Sequence, residues 1–101
     1  MRLKTGVRVF GLRSEIILAL MIAEGIWQKY SAELVITGGI EGKHSRGSIH
    51  YSGGAVDLRT RELSDAKMAT DELRSALGDD YDVILESDHC HVEFQPKGYY
   101  G

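Results

Sequence analysis

The four histidines of this 101-residue chain fall in two short clusters that could bind a metal ion. His44 and His50 lie in or beside a glycine-rich stretch, whereas His89 and His91 alternate near the carboxyl end. A catalytic zinc ion takes three protein ligands from His, Asp, Glu or Cys and keeps one position open. His50, Asp57 and His91 would meet that count. The alternative, that Asp57 caps a turn and the histidines are solvated, is not excluded by spacing alone.

Side chains alternate across a β-strand, and this alternation separates a core face from a ligand face in two predicted strands. Near the carboxyl end, the apolar face consists of Cys90, Val92 and Phe94. The opposite face carries His89, His91, Glu93 and Gln95. In a second segment, Ala55–Arg59, the carboxylate of Asp57 also lies opposite the apolar residues. If the two strands are neighbours, Asp57 and His91 converge, and the loop that ends at His50 closes over them.

Cys90 is the single cysteine, so the sequence excludes an internal disulfide and any zinc site built from several thiolates. Its position between two histidines places Cys90 on the core face of its strand. A buried small hydrophobic residue is therefore favoured over a thiolate ligand. His44 either hydrogen-bonds a ligand or the substrate, or is simply exposed.

Two helices and several short strands must position these residues. Apolar spacing predicts a first helix with Ser14 as its N-cap, and a second helix over Ser64–Leu77 that ends at Gly78. Strands are predicted at Val7–Phe10, Leu34–Thr37, Ala55–Arg59, Tyr81–Glu86 and Cys90–Gln95. The last two can pair through a tight turn near Ser87. We therefore predict an α+β fold, with a small, mainly antiparallel sheet and helices packed on one face.

Length and charge restrict the possible functions. A chain of 101 residues is expected to form one domain, 1–101. Its 12 Lys+Arg and 15 Asp+Glu give a net charge of −3 without a basic run, which argues against nucleic acid as a partner. The apolar run Ile16–Ala23 is far shorter than the ~20 residues that span a bilayer, so no membrane partner is expected. Without a convincing secretion signal, the chain is expected to be cytoplasmic as synthesised.

Two motifs resemble those of a known superfamily. The segment Ser48–Asp57 fits S-x-H-x-x-G-x-A-x-D, and the segment Asp88–His91 fits both D-x-x-H and H-x-H. Together they look like the zinc D-Ala-D-Ala carboxypeptidases and L-alanyl-D-glutamate endopeptidases, which share their fold with the Hedgehog signalling domain. The similarity covers Leu34–Phe94, including VITGG before the first motif and AVDLRT at its end. The small size resembles phage- or prophage-encoded members.

The resemblance implies one Zn²⁺ per chain, held by His50, Asp57 and His91. It implies that Asp88, three residues before the last ligand, is the general base that takes a proton from water. His89 would lie beside the metal and stabilise an oxyanion or orient the substrate. The spacing Glu86-x-x-His89 repeats the same pattern two residues earlier, so Glu86 as base with His89 as ligand stays an alternative. His91 is preferred because HVEF matches the strand that follows the ligand in the superfamily.

Arg46 and Ser48 are predicted to bind the substrate. A guanidinium pairs with a carboxylate through two hydrogen bonds, although Arg46 as an exposed loop charge is an equal alternative. Ser48 is otherwise explained as a residue that hydrogen-bonds within its loop.

The activity that the resemblance implies is zinc-dependent hydrolysis of a peptide bond next to a D-amino acid, with peptidoglycan peptides as the substrate. Such an enzyme would degrade the cell wall, as endolysins do, after release from the cytoplasm. Two alternatives stay open. The first is a Hedgehog-like zinc module without peptidase activity, and the second is a cytoplasmic D-Ala-D-Ala dipeptidase.

Overall fold

The two helices and five strands are interspersed along the chain. The computed structural model describes residues 1–9, 11–39 and 54–96. In chain order, the elements are β1 (Arg2–Leu3), α1 (Ser14–Lys29), β2 (Val35–Gly38), β3 (Ala55–Arg59), α2 (Ala66–Leu77), β4 (Tyr81–Leu85) and β5 (His89–Phe94).

The five strands form one mixed sheet in the order β1-β2-β3-β5-β4. The pairs β2–β3, β3–β5 and β4–β5 are antiparallel, and β1 runs parallel to β2 at the edge. Strands β4 and β5 form a hairpin, in which the Glu86 amide donates to the His89 carbonyl at 2.8 Å. The α+β fold and the tight turn near Ser87 are therefore confirmed, and the parallel β1–β2 pair makes the sheet mixed rather than purely antiparallel.

One hydrophobic core joins the two helices to a single face of the sheet. The buried stripe of α1 consists of Ile16, Ala19, Leu20, Ala23, Ile26 and Trp27. It belongs to the same cluster as Ala69 and Leu73 of α2 and the inward residues Val56, Leu58, Cys90 and Val92 of the sheet. Burial of each large apolar side chain stabilises the fold by about 1.5–3 kcal/mol. The opposite face of β3 and β5 is therefore left for polar side chains.

Trp27 ties the first helix to the strand that carries the site. Its ring is fully buried, and its Nε1 atom donates a hydrogen bond to the Arg59 carbonyl oxygen at 3.0 Å. A buried indole N–H needs such a partner. Because Arg59 is the last residue of β3, this bond fixes the end of the strand only two residues after Asp57.

The helix ends differ slightly from the sequence expectations. Ser14 is the first residue of α1 rather than its cap, since Arg13 occupies the N-cap position without a side-chain hydrogen bond. In α2, Asp65 is the N-cap and accepts a hydrogen bond from the Met68 amide at 3.0 Å. Gly78 ends α2 as predicted, with a φ of 84° that favours glycine. Neither helix in the described ranges is long and apolar enough to cross a membrane.

The amino-terminal strand is the main difference from the sequence prediction. Residues 7–9 are not in a strand, and Phe10 lies outside the described residues. The strand at this end is instead the two-residue β1, whose Arg2 amide donates to the Leu34 carbonyl oxygen at 2.8 Å. The side chains of Val7 and Val9 pack against the hydrophobic core without strand geometry.

Candidate metal centre

Asp57 and His91 face each other across the two central strands of the sheet. They are direct partners in the β3–β5 register, and the Nδ1 atom of His91 lies 2.8 Å from the Oδ1 atom of Asp57. Both side chains are half-buried, with 21% and 22% of their surface exposed. The convergence expected from strand alternation is therefore observed, on the sheet face opposite the helices. Their assignment as metal ligands stays a prediction.

Glu93 holds the other side of the His91 ring. Its Oε1 atom lies 2.9 Å from the Nε2 atom of His91, and its Oε2 atom accepts a hydrogen bond from Gln95 at 2.6 Å. A histidine that binds a metal through one nitrogen usually donates its other N–H to a carboxylate, which fixes the ring. With Nδ1 towards Asp57 and Nε2 towards Glu93, His91 has this arrangement. The signal in the sequence was the two-residue spacing of His91 and Glu93 on one strand face.

The two carboxylates favour the protonated ring of His91. The hydrogen bond to Asp57 is the main cause that raises the pKa of His91 to about 9, while burial lowers this pKa and the hydrogen bond to Glu93 raises it further. A protonated imidazole donates from both nitrogens, which matches a carboxylate on each side. A metal ion that binds Nδ1 would therefore displace a proton held between His91 and Asp57.

His89 connects Asp88 to the same site. Its Nδ1 atom lies 2.7 Å from the Oδ1 atom of Asp88, and its Nε2 atom lies 3.8 Å from the Oδ1 atom of Asp57. The hydrogen bond with His89 lowers the pKa of Asp88 below its usual value, and the Asp88 side chain is 83% exposed. Asp88 is therefore an ionised, accessible carboxylate that is linked to Asp57 through the ring of His89.

The geometry of Asp57 and His91 fits a shared zinc ion. At metal–ligand distances of about 2.0 Å, neighbouring ligand atoms of a tetrahedral site lie about 3.3 Å apart. The observed 2.8 Å between Nδ1 and Oδ1 differs from this by an amount that small side-chain rotations can supply. Across residues 1–9, 11–39 and 54–96, no three His, Cys, Asp or Glu side chains form a group that could hold a metal. The third predicted ligand, His50, lies outside the described residues, as do His44, Arg46 and Ser48.

Gly38 makes room for the Asp57 carboxylate. The two residues are partners where the β2–β3 register shifts. A Cβ atom added at Gly38 would overlap the Oδ2 atom of Asp57 and lie 3.1 Å from its Cγ atom. A side chain at position 38 would therefore push the carboxylate away from its present place. The sequence showed this glycine only as one of a cluster, without indicating which residue approaches it.

Cys90 lies on the opposite side of β5. It is fully buried in the hydrophobic core, and burial raises the pKa of its thiol to about 11. A thiol with so high a pKa stays protonated near neutral pH and is a poor metal ligand. The prediction that Cys90 is a core residue is confirmed.

The described part of the site thus brings together two potential ligands, a carboxylate behind one of them, and an exposed acid linked to the site through a second histidine. These residues are Asp57, His91, Glu93, Asp88 and His89. No protein-family model, curated protein or solved structure matches this chain.

Proposed function

We propose that this chain is a zinc metallopeptidase of the D-Ala-D-Ala peptidase type, with the Hedgehog/DD-peptidase fold. Its reaction would be hydrolysis of a peptide bond next to a D-amino acid, in peptidoglycan stem or cross-link peptides. The observation that carries this proposal is the 2.8 Å contact between Asp57 and His91. It unites the last residue of S-x-H-x-x-G-x-A-x-D with the last residue of D-x-x-H, although 34 residues separate them in the chain.

Asp57, His91 and His50 would hold the zinc ion. When bound, zinc would supply Lewis acidity that polarises a carbonyl group and lowers the pKa of a water molecule to about 7. Glu93 would keep the His91 ring oriented with Nδ1 towards Asp57, because it already accepts from Nε2. Two imidazoles and one carboxylate are among the ligand sets that catalytic zinc sites use.

Asp88 would act as the general base. It is exposed and ionised, and its position beside His89 brings it to the edge of the Asp57–His91 pair. It would accept a proton from the attacking water and pass it to the leaving amine, a role worth about 10²–10⁴ in rate. Because its pKa is lowered, Asp88 is a weak base, so the water must first be strongly acidified.

His89 would assist without binding the metal. Its Nδ1 atom is engaged by Asp88, while its Nε2 atom points towards Asp57 at 3.8 Å, beyond hydrogen-bond distance. With Nδ1 donating to Asp88, Nε2 carries an N–H for a developing oxyanion only when the ring is protonated on both nitrogens, and this is the form in which His89 would assist. In the alternative register, with Glu86 as base, His89 would bind zinc through Nε2 while Asp88 kept its contact with Nδ1. The shorter distance from Asp57 to His91, 2.8 Å against 3.8 Å to His89, favours His91 as the ligand.

A comparison of two acid variants tests the proposal. We expect Asp88→Ala to keep one zinc per chain but to hydrolyse muropeptides that end in D-Ala-D-Ala about 10²–10⁴ times more slowly. Glu86→Ala, two residues away in the same turn, should retain zinc and the parent rate. Undiminished hydrolysis by Asp88→Ala would refute the assignment of the base, and loss of activity only in Glu86→Ala would establish the other register.

The substrate class needs two assays on the parent protein. Purified sacculi and free D-Ala-D-Ala should be offered separately, with products followed by mass spectrometry. We expect cleavage of peptidoglycan peptides. Cleavage of the free dipeptide alone would instead identify a dipeptidase, and zinc binding without hydrolysis of either substrate would favour a non-catalytic module.

A further inference from the structure

A pocket beside His89 is lined only by charged and polar side chains. It has a volume of about 290 Å³, and its lining residues are Lys4, Thr37, Arg59, Arg61, Asp88 and His89. Three of these residues are cations and one is an acid, so this cationic pocket carries a net charge of +2 when His89 is neutral. The whole chain has a net charge of −3, which makes the positive charge of the pocket a local feature.

The three cations have no carboxylate partner within the described part of the chain. No described carboxylate lies within 4.0 Å of the charged groups of Lys4, Arg59 or Arg61. Cations elsewhere do form such pairs, for example Lys67 with Asp71 at 2.9 Å. Cations that line one cavity repel each other, so an anionic ligand between them would stabilise the arrangement.

Backbone hydrogen bonds fix the segments that carry these cations. The Lys4 amide donates to the Ile36 carbonyl oxygen at 2.9 Å, which ties the amino-terminal segment to β2. The Thr60 amide, between the two arginines in the chain, donates to the Asp88 carbonyl oxygen at 3.4 Å. The backbone of the pocket wall is therefore in place before a ligand binds, and the ligand does not have to order it.

Asp88 is the one anion among the lining residues, and it does not balance three cations. Its carboxylate contacts His89, and after this hydrogen bond the charge of Lys4 is among the causes that lower the pKa of Asp88. Asp57, near the other ring nitrogen of His89, is already paired with the His91 ring at 2.8 Å. A phosphate monoester carries a charge of about −1.5 to −2 at pH 7, so it would neutralise the pocket, whereas a carboxylate would leave half of the charge.

The donors and the size of the pocket also match a phosphoryl group. Each guanidinium can bind two phosphate oxygens through parallel N–H groups, while Lys4 adds a point charge and the Thr37 hydroxyl a further donor. The volume lies near the lower end of the range of about 300–1,000 Å³ that is typical of small-molecule sites. Because the sequence has no basic run, these features favour a small phosphorylated ligand over a nucleic acid.

We infer that the cationic pocket binds a doubly charged phosphate group, either as inorganic phosphate or as the phosphate monoester of a small molecule. Lys4, Arg59 and Arg61 would pair with its oxygen atoms, and Thr37 would donate a hydrogen bond. This site goes beyond the proposed peptidase function, because it requires neither zinc nor a peptide. Asp88 limits the affinity, since it places a carboxylate beside the bound dianion.

Binding of small anions to the parent protein tests this inference. The probes are inorganic phosphate, methyl phosphate as a monoester, dimethyl phosphate as a diester with one negative charge, and acetate. Each is titrated by calorimetry at about pH 8 and constant ionic strength, with and without zinc, so that the monoester is a dianion and screening is equal. We expect methyl phosphate to bind roughly tenfold or more tightly than dimethyl phosphate or acetate, because the singly charged probes make fewer charge-assisted hydrogen bonds.

The same titrations distinguish the two sources of the phosphate group. Tighter binding of inorganic phosphate than of methyl phosphate would identify the free ion as the ligand, and equal or tighter binding of methyl phosphate would identify a monoester. Three results would overturn the inference: no binding of either phosphate, equal binding of all four probes, or binding that appears only with zinc, which would place the anion on the metal.

Charge variants assign the binding to this pocket. Lys4→Gln combined with Arg61→Gln should abolish the preference for methyl phosphate over acetate, whereas Lys67→Gln, which removes an exposed cation of α2, should retain it. Asp88→Asn removes the carboxylate from the pocket wall, so it should bind methyl phosphate roughly threefold or more tightly, a gain that a damaged fold would not produce. Circular dichroism checks that each variant is folded. A preference that survives the loss of Lys4 and Arg61, or no gain in folded Asp88→Asn, would refute the assignment.

Discussion

The Nδ1 atom of His91 and the Oδ1 atom of Asp57 lie 2.8 Å apart, on strands that are hydrogen-bonded neighbours in the centre of the sheet. Because both residues sit in regular strands, the backbone rather than a loop fixes their separation. This arrangement gives the proposed site two of its three ligands already side by side before a metal ion binds. The free energy of metal binding is then not spent on bringing these two residues together.

The zinc affinity should depend strongly on the charge of Asp57. Asp57→Asn keeps the size of the side chain but removes the anionic ligand, so we expect the zinc affinity to fall by more than about 100-fold. This exceeds the loss that is typical when a residue that only hydrogen-bonds a metal ligand is changed. The measurement is competition with a chelator of known zinc affinity. Asp71→Asn is the matched control, because Asp71 pairs with Lys67 and Arg74 on α2. Parent-like zinc affinity in Asp57→Asn would exclude Asp57 as a ligand.

Loss of the Glu93 charge should lower the zinc affinity less than loss of the Asp57 charge does, but by a measurable amount. Glu93→Gln can accept from the Nε2 atom of His91 through its amide oxygen, but it loses the negative charge that strengthens this bond. We expect a decrease in zinc affinity of roughly 10- to 100-fold, as found when partners of ligating histidines are changed. The same chelator competition measures it. An unchanged affinity would show that the contact between His91 and Glu93 does not support metal binding.

The metal-free protein should lose stability as the pH rises from 6.5 to 9. The pKa of His91 is raised to about 9 in the folded protein from 6.5, so the folded state binds the proton more tightly than the unfolded state. This contribution to stability is complete below pH 6.5 and is lost as the pH rises through about 9. A shift of this size corresponds to roughly 3 kcal/mol at most.

Urea unfolding in the presence of a chelator measures this contribution. Asp57→Asn removes the main cause of the raised pKa of His91, so the decrease over this pH range should be much smaller in the variant. Other groups that titrate in both proteins cancel in the difference. Parallel pH profiles for the two proteins would show that His91 and Asp57 do not share a proton in the folded state.

The central part of the fold could be predicted because each of its elements carries its own local signal. Strand β3 alternates apolar and polar residues over exactly the predicted range, and α2 ends at Gly78, whose φ of 84° few other residues adopt. Once two alternating strands are neighbours, their polar faces must coincide, which is why Asp57 and His91 could be placed together. Cys90 was assigned to the core by the same alternation.

Other features depend on contacts that leave no periodic pattern in the sequence. Strand β1 has only two residues, and its parallel pairing with β2 depends on tertiary contacts rather than on a local sequence pattern. Lys4, at the end of β1, lines a pocket together with Thr37 of β2, Arg59 of β3 and His89 of β5, which lie far along the chain. Glu93 was placed on the correct face, but its contact with His91 depends on side-chain rotation, which alternation does not determine.

Gly38 should be required for the geometry of the site rather than for the stability of the fold alone. A methyl group at this position would overlap the Oδ2 atom of Asp57 and lie 3.2 Å from its Cβ atom, so Gly38→Ala must displace the carboxylate or the strand. We therefore expect Gly38→Ala to lose zinc affinity by a factor approaching that of Asp57→Asn. The helical content by circular dichroism should stay unchanged, since both helices lie on the other face of the sheet.

Gly25 provides the matched control for this prediction. It lies inside α1, where a Cβ atom would meet nothing within 4 Å, so Gly25→Ala should raise the free energy of unfolding by about 0.5–1 kcal/mol through helix propensity. Its zinc affinity should equal that of the parent. If Gly38→Ala also binds zinc like the parent, the Asp57 carboxylate can bind the metal from another position. Close packing against Gly38 is then not required for zinc binding.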